Sequence, residues 1–248
     1  MTNKFISYNK METREYLLTI LFVIACFMVL NLERREGFET SDRPGVCDGK
    51  YYEKIDGFLS DIECDVLINA AIKKGLIKSE VGGATENDPI KLDPKSRNSE
   101  QTWFMPGEHE VIDKIQKKTR EFLNSKKHCI DKYNFEDVQV ARYKPGQYYY
   151  HHYDGDDCDD ACPKDQRLAT LMVYLKAPEE GGGGETDFPT LKTKIKPKKG
   201  TSIFFWVADP VTRKLYKETL HAGLPVKSGE KIIANQWIRA VKHHHHHH

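Results

Sequence analysis

The sequence has no surplus of charge of either sign, because 38 lysines and arginines stand against 37 aspartates and glutamates. A nucleic-acid-binding protein normally carries a basic surface, so this balance argues against nucleic acid as a partner. The sequence also has no internal repeat, which argues against a repeat architecture. It contains no Asn-x-Ser/Thr sequon, so glycosylation gives no support for a secretory route.

The chain is predicted to contain one globular domain, preceded and followed by accessory segments. Its last six residues, 243–248, are all histidine and indicate a purification tag, which leaves five histidines for chemistry. Residues 1–16 are predicted to be a short N-terminal tail. Residues 33–50 are charged and carry turn signals, so they are predicted to be a linker. Residues 51–242 then suit one globular domain.

Only one long apolar run is present, between Leu17 and Leu30. It is long for a soluble core helix and slightly short for a full span, so a signal peptide and a membrane anchor both fit. No small-x-small cleavage pattern follows, which favours an uncleaved anchor over residues 17–32. A buried helix of the domain fits less well, because the run is apolar all round.

Cysteine usage is compatible with a secretory route. Outside the apolar run an odd number remains, so at least one cysteine is unpaired or pairs between chains. Cys158 and Cys162 lie close together in an acidic loop, where a disulfide and two plain thiols both fit. Zinc is disfavoured, because no second cysteine pair lies at a suitable spacing.

Two helical patterns come first in the domain. One helix is predicted to begin at Ser60, which can form a capping box with Glu63, and to end at Gly75. Its predicted apolar stripe is Ile62, Val66, Leu67, Ala70 and Ala71. A second helix is predicted over Glu108 to Lys127, with Val111, Ile112, Ile115, Thr119, Phe122 and Leu123 on its apolar face.

Strand patterns dominate after Phe135. Alternation with a period of two predicts strands at Asp137–Tyr143, Gln147–Asp154, Leu168–Lys176, Thr201–Val207 and Glu230–Val241. Helices followed by many strands predict an α+β fold, in which N-terminal helices flank a β-sandwich or jelly roll.

The segment His152-Tyr153-Asp154 lies in one of these predicted strands. Side chains two residues apart on a strand share a face, so His152 and Asp154 can converge while His151 points away. With His221 they would make two imidazoles and one carboxylate, the facial triad of non-haem iron(II) oxygenases. Such triples also arise by chance, so this pattern is weak when taken alone.

The last predicted strand carries an unusual face, made of Lys231, Ile233, Asn235, Trp237 and Arg239. Cations on a face that should be core need partners. A dicarboxylate co-substrate would supply one. An exposed sheet edge is the alternative, and it is less favoured because the opposite face is only ordinarily apolar.

Three blocks of sequence are distinctive in combination. They are Gln139–Asp154 (QVARYKPGQYYYHHYD), Arg167–Leu175 with Gly183–Thr186 and Phe188-Pro189, and His221–Lys231 with Asn235–Trp237. Together they resemble the prolyl 4-hydroxylase family of iron(II)- and 2-oxoglutarate-dependent dioxygenases, over roughly Tyr51 to Val241. The glycine run Gly181–Gly184 and the acidic, cysteine-bearing loop after Asp154 depart from the family pattern and concern loops rather than the metal site.

The resemblance implies a double-stranded β-helix, a jelly roll that hydroxylates peptidyl proline at C4 with Fe(II), 2-oxoglutarate and ascorbate. It implies that His152, Asp154 and His221 hold the metal. Lys231 would pair with the distal carboxylate of 2-oxoglutarate, assisted by Tyr143 and Thr170, and Trp237 would wall the pocket.

The resemblance also implies a proline-rich peptide as partner. The positions that match the family's substrate residues are Arg97, Glu136, Tyr149, Arg167 and Arg239. Plain strand alternation conflicts with Tyr149, because it points that side chain away from His152. Together with the anchor, the family implies a single-pass protein of the endoplasmic reticulum or another secretory membrane of the host cell, and nothing requires more than a monomer.

Several alternatives stay open at this stage. The same chemistry could act on lysine or a free amino acid, whereas a nucleobase is disfavoured because no basic groove is evident. A non-catalytic metal-binding jelly-roll module and a membrane-tethered scaffold with vestigial motifs are further alternatives. Three ligands with Lys231 nearby suggest an open coordination sphere, which favours an enzyme over a structural metal site.

Overall fold

The computed structural model of the chain describes residues 40–42, 46–82, 91–126, 129–158 and 161–241. These residues fall in the unit Thr40–His248. The predicted tail, membrane anchor and tag lie outside the described residues. Among the residues that are described, no helix combines the length and the apolar character needed to cross a membrane.

Helix α1 (Asp61–Lys74) begins as the sequence predicted. The Ser60 hydroxyl accepts a hydrogen bond from the Glu63 amide at 3.3 Å, and the Glu63 carboxylate accepts one from the Ser60 amide at 2.9 Å. These two bonds satisfy amides that the first helical turn leaves unpaired. The helix ends at Gly75, as predicted.

The predicted apolar stripe of α1 is partly wrong. The helix buries Cys64, Leu67 and Ala71, whereas Ile62 is 76% exposed and Val66 is 37% exposed. The reason is that α1 packs along a single narrow line of positions, and Ile62 and Val66 lie away from that line. Helix α2 (Glu110–Asn124) is shorter than predicted but buries its predicted face, Val111, Ile112, Ile115, Thr119 and Leu123.

The strands, in chain order, are β1 (Thr40–Asp42), β2 (Lys50–Ile55), β3 (Ile77–Lys78), β4 (Glu100–Phe104), β5 (Asn134–Phe135), β6 (Val138–Tyr143), β7 (Tyr149–His152), β8 (Arg167–Lys176), β9 (Thr186–Phe188), β10 (Thr193–Ile195), β11 (Ser202–Trp206), β12 (His221–Gly223) and β13 (Lys231–Arg239). The five strands predicted from the sequence appear as β6, β7, β8, β11 and β13. The segment predicted as linker instead contributes β1, a short 3-10 turn at Cys47–Gly49 and the first residue of β2.

The strands form two antiparallel sheets. The larger has the order β1-β2-β11-β8-β13-β6-β4-β3, with β5 pairing alongside β13, and the smaller has the order β10-β9-β12-β7. From β6 to β13 the chain passes back and forth between the two sheets, which is the crossing pattern of a jelly roll. The fold is therefore mostly antiparallel β-sheet with few helices.

Strand β13 lies between β6 and β8 in the large sheet. All nine of its residues are buried. The alternative of an exposed sheet edge for the Lys231 face is therefore wrong. The cations of this strand lie inside the protein, where each needs a partner.

The described cysteines form two disulfides and leave one buried thiol. Cys47 bonds to Cys129, Cys158 bonds to Cys162, and Cys64 is free. The first bridge ties the turn before β2 to the segment after α2, with 82 residues of chain between its ends. The second spans four residues beside the end of β7.

This difference in span predicts different contributions to stability. A Cys47→Ser/Cys129→Ser variant should lose roughly 2 kcal/mol more unfolding free energy than a Cys158→Ser/Cys162→Ser variant, because the longer loop constrains the unfolded chain more. Denaturant unfolding of both double variants beside the parent protein measures the difference. Equal losses would contradict the loop-entropy argument.

Candidate active site

Three residues converge where the two short strands β7 and β12 meet. His152 ends β7 and pairs in register with His221, the first residue of β12. The Asp154 Oδ1 atom lies 3.5 Å from His152 Nε2 and 3.8 Å from His221 Nε2. One ligand atom from each residue falls within 4.8 Å of the others, so a single metal ion can bind all three.

The protonation of both imidazoles suits metal binding. His152 Nδ1 lies 2.7 Å from the Tyr150 carbonyl, and His221 Nδ1 lies 3.0 Å from the Thr219 carbonyl. A carbonyl only accepts, so each Nδ1 carries the proton and each Nε2 keeps a free lone pair. Burial, reinforced by the neighbouring His152, lowers the pKa of His221 to about 4, which keeps this ring neutral near pH 7.

The carboxylate is held in its charged form. Burial alone would raise the pKa of Asp154, but the nearby His221 and the contact with His152 outweigh it, and the pKa lies below its usual value. The Thr170 hydroxyl donates to Asp154 Oδ2 at 2.6 Å. Thr170 was predicted to bind 2-oxoglutarate; it lines the pocket, and in this structure its hydroxyl donates to a predicted metal ligand.

This contact predicts a specific effect on metal binding. Thr170→Val keeps the shape of the side chain but removes the donor, so we expect iron(II) affinity to fall about 10- to 100-fold, as for other partners of metal ligands. Thr170→Ser keeps the hydroxyl and should stay close to the parent protein. Metal titration followed by calorimetry measures both, and equal affinities for the two variants would contradict the assignment.

A pocket between the two sheets leads from these ligands to Lys231. Lys231 is 2% exposed, and its Nζ lies 5.4 Å from the Tyr143 ring centre and 5.8 Å from the Tyr174 ring centre. Among the described residues no carboxylate forms an ion pair with it. Burial lowers the pKa of Lys231 to about 7, with Glu185 acting weakly in the opposite direction. A buried ammonium of this kind fits an incoming carboxylate.

The two other predicted cofactor residues also line this pocket. Tyr143 is the register partner of Lys231 on the neighbouring strand β6. Trp237 packs 5.7 Å from Trp103, and its indole Nε1 is buried without a partner among the described residues. The arrangement fits a dicarboxylate that lies against Trp237 and ends at Lys231.

Three of the predicted substrate residues bind one another instead of lining the open pocket. The Arg167 guanidinium donates to both oxygens of Glu136, at 2.6 and 2.8 Å, and Arg239 Nε donates at 2.6 Å. Arg167 and Arg239 are register partners on β8 and β13, so their charges need a common acid. The two arginines outweigh burial and lower the pKa of Glu136. Glu136 and Arg239 therefore have internal partners, and Arg167 reaches the pocket by stacking 4.1 Å from Trp237.

The other two predicted substrate residues stack in turn on the predicted metal ligand His152. The Tyr149 ring stacks on the His152 ring at 3.5 Å, and the Arg97 guanidinium lies 4.7 Å from the Tyr149 ring centre. Strand alternation predicted the opposite orientation for Tyr149, and this expectation is wrong. His152 pairs with His221 but Tyr149 pairs with Gly223, so β7 carries one extra residue, and this bulge brings Tyr149 to the face of His152.

Sequence reasoning missed several residues of the pocket. Met172 on β8 and Phe205 on β11 line it, and Phe205 packs 4.8 Å from the His221 ring. Alternation along β8 is the signal that could have found Met172, since Thr170, Met172 and Tyr174 share a face. Gly223 also lines the pocket, where a Cβ would lie 3.5 Å from Lys231 Nζ.

Comparison with known proteins identifies the class of this fold and site. Residues 138–239 match the model of the 2OG-Fe(II) oxygenase superfamily. A prolyl 4-hydroxylase homologue of Acanthamoeba polyphaga mimivirus is 34% identical over 195 residues, which cover 76% of this chain and 74% of that protein. The chain belongs to the prolyl 4-hydroxylases of the 2OG-Fe(II) oxygenase superfamily and is a 2-oxoglutarate-dependent dioxygenase.

Two further relatives narrow the comparison. The crystal structure of a viral collagen prolyl hydroxylase from Paramecium Bursaria Chlorella virus-1, in complex with 2OG, is 92% identical, with a TM-score of 0.72, and covers 79% of this chain and 100% of that chain. Prolyl 4-hydroxylase 5 of Arabidopsis thaliana is 32% identical over 201 residues, and the match spans 73% of this chain and 65% of that protein.

Proposed function

We propose that the protein hydroxylates peptidyl proline at C4, consuming dioxygen and 2-oxoglutarate and forming 4-hydroxyproline, succinate and carbon dioxide. The observation that carries the proposal is the pairing of a three-ligand metal site with a buried Lys231 in one pocket. Three protein ligands leave coordination positions for other groups, and the lysine selects a ligand with a carboxylate at its far end.

The residues of the chain have separate tasks in this reaction. Iron(II) and 2-oxoglutarate, when bound, supply the oxidising chemistry that side chains lack. His152, Asp154 and His221 hold the metal at one point of the pocket. Lys231 binds the distal carboxylate and so fixes the orientation of the co-substrate. The apolar walls around it exclude water, which strengthens this charge pair.

A proline-rich peptide suits the entrance to this pocket. Tyr149 and Trp237 both line it and present aromatic surfaces beside the metal ligands. Proline-rich segments adopt the polyproline II conformation without internal hydrogen bonds, and aromatic-lined grooves bind them with a small loss of entropy. Arg97, with its guanidinium against Tyr149, supplies donors for the peptide carbonyls.

The remaining features of the proposal concern the setting of the enzyme. Ascorbate would keep the metal in its reduced state between turnovers. The apolar run over residues 17–32 would attach the protein to the endoplasmic reticulum or another secretory membrane of a host cell, in a single pass. We also propose that it acts as a monomer and derives from a virus.

The test is a product assay with the full chain. The protein is incubated with iron(II), 2-oxoglutarate, ascorbate and a proline-rich peptide, and succinate is measured together with a mass gain of one oxygen on the peptide. Succinate with oxidised proline supports the proposal. If succinate formed while a proline peptide stayed unmodified and a lysine peptide was oxidised, the substrate residue would be lysine and not proline. If a folded, metal-loaded protein formed neither succinate nor oxidised peptide, the enzyme assignment would be overturned.

A further inference from the structure

A chain of buried polar side chains runs beside the pocket, and its central residue has no role in the functions assigned so far. At its centre is Gln139 on β6, which is 2% exposed. Gln139 Oε1 accepts hydrogen bonds from Arg97 Nη2 and from Asn235 Nδ2, each at 3.1 Å. Its Nε2 donates to Gln101 Oε1 at 2.8 Å. The buried Gln139 amide therefore links Arg97, a predicted contact of the peptide substrate, to Asn235 in the pocket wall.

The direction of each bond is fixed by the chemistry of arginine. A guanidinium can only donate, so the Gln139 atom facing Arg97 must be the carbonyl oxygen. The same oxygen faces Asn235, which must therefore turn its amide nitrogen toward Gln139. The Asn235 oxygen is then left on the other side, and Asn235 lines the pocket between Ile233 and Trp237 on β13. Gln139 thus fixes the orientation of the Asn235 amide in the wall of the pocket.

Gln139 also carries much of the support for Arg97. Arg97 is 4% exposed and has no ion pair with any described carboxylate. Its side-chain acceptors are Gln139 Oε1 and the Ser99 hydroxyl, which lies 2.8 Å from Arg97 Nε. Arg97 in turn packs on Tyr149, and Tyr149 stacks on the metal ligand His152. Loss of Gln139 would release both the guanidinium and the Asn235 amide.

We propose that Gln139 is a positioning residue for the peptide substrate. By accepting from Arg97 and Asn235 on one oxygen, it holds guanidinium donors and the Asn235 amide at a fixed separation beside the pocket. An extended peptide presents carbonyl acceptors and N–H donors in alternation, so such a pair suits its backbone. A carboxylate has no hydrogen-bond donor for the Asn235 oxygen. The Arg97 guanidinium and the Asn235 amide therefore suit the peptide and not 2-oxoglutarate. The inference rests on the proposed function, because it takes Arg97 as a peptide contact.

The test separates binding of the peptide from binding of the co-substrate. Gln139→Leu keeps the size of the side chain and removes all three hydrogen bonds. We expect its KM for a proline-rich peptide to rise roughly tenfold or more, as for loss of a hydrogen bond to a charged group, with the KM for 2-oxoglutarate within about twofold of the parent. Gln139→Glu keeps both acceptor interactions and should restore the peptide KM to within about threefold.

A second variant provides the matched control. Gln101→Leu removes a buried hydrogen bond from the same amide but leaves the bonds to Arg97 and Asn235 in place, so its peptide KM should change by less than about twofold. Peptide binding to each full-length variant is also measured by calorimetry without dioxygen, which reads out affinity independently of turnover. Thermal unfolding of each variant reports the stability cost separately.

The outcomes distinguish this inference from the proposed function. A parent protein that binds the peptide but does not oxidise it would overturn the function, while the ratio of peptide affinities between variants would still test Gln139. A parent protein that hydroxylates proline, together with a Gln139→Leu variant of unchanged peptide affinity, would overturn the positioning role. If Gln139→Leu and Gln101→Leu lost equal peptide affinity, the Gln139 amide would have only a structural role.

Discussion

Asp154→Ala should abolish hydroxylation, with kcat/KM for the peptide falling by at least roughly 1,000-fold, or about 4 kcal/mol of transition-state stabilisation. Asp154 is the anionic member of the ligand set, and its Oδ1 faces both imidazoles. Without it two neutral histidines remain, which hold a divalent cation weakly and leave its charge uncompensated in a buried site. His152→Ala and His221→Ala should behave in the same way.

Two measurements test this prediction: the iron content of the protein and the ratio of hydroxyproline to succinate. Iron bound per protein is measured after dialysis, and succinate and hydroxyproline are measured on the same samples. Asp157→Ala is the matched control, since Asp157 lies in the acidic loop that follows Asp154 but is exposed and pairs with Lys217. An Asp154→Ala protein that formed one hydroxyproline for each succinate at the parent rate would refute the metal site.

Lys231→Ala should raise the KM for 2-oxoglutarate by at least about 100-fold, because a carboxylate brought to the foot of the pocket would lose its counter-ion. The peptide KM should change much less. Lys231→Arg retains a cation and should recover part of the loss. A Lys231→Ala protein with an unchanged KM for 2-oxoglutarate would remove the lysine from the co-substrate site.

The same lysine predicts a pH dependence. Its pKa in the free protein is about 7, because burial disfavours the ammonium. The dicarboxylate binds the charged form, so affinity is fully present below pH 7 and falls about tenfold per pH unit above it. In Lys231→Arg this dependence should vanish, since arginine stays charged. The KM for 2-oxoglutarate measured from pH 6 to pH 9 tests the slope, and parallel profiles for both proteins would contradict it.

The parts of the fold that follow local rules could be predicted from the sequence. The start of α1 depends on Ser60 and Glu63, three residues apart, and the capping box is present. The long strands β8 and β13 follow from runs rich in apolar and β-forming residues, and their predicted centres are correct. Alternation also selected His152 over His151 as the metal-site residue, but the predicted strand is too long, because β7 ends at His152 and Asp154 lies beyond it.

Features that depend on pairing between distant strands could not be predicted. The orientation of Tyr149 follows from a bulge between Tyr149 and His152, which no pattern within β7 reveals. The bond from Thr170 to Asp154 and the sharing of Glu136 by two arginines arise only once strands are placed side by side. Short strands such as β9 and β12 have too few residues to show a period.

The position of β13 has a consequence for how the protein is made. This strand is the last among the residues that the structure describes, yet it lies between β6 and β8 in the large sheet and carries Lys231. While the polypeptide is still emerging from the ribosome, β6 and β8 have no partner between them, and the co-substrate pocket has no floor. The pocket around Lys231 is therefore completed only when β13 has been synthesised and inserted between β6 and β8.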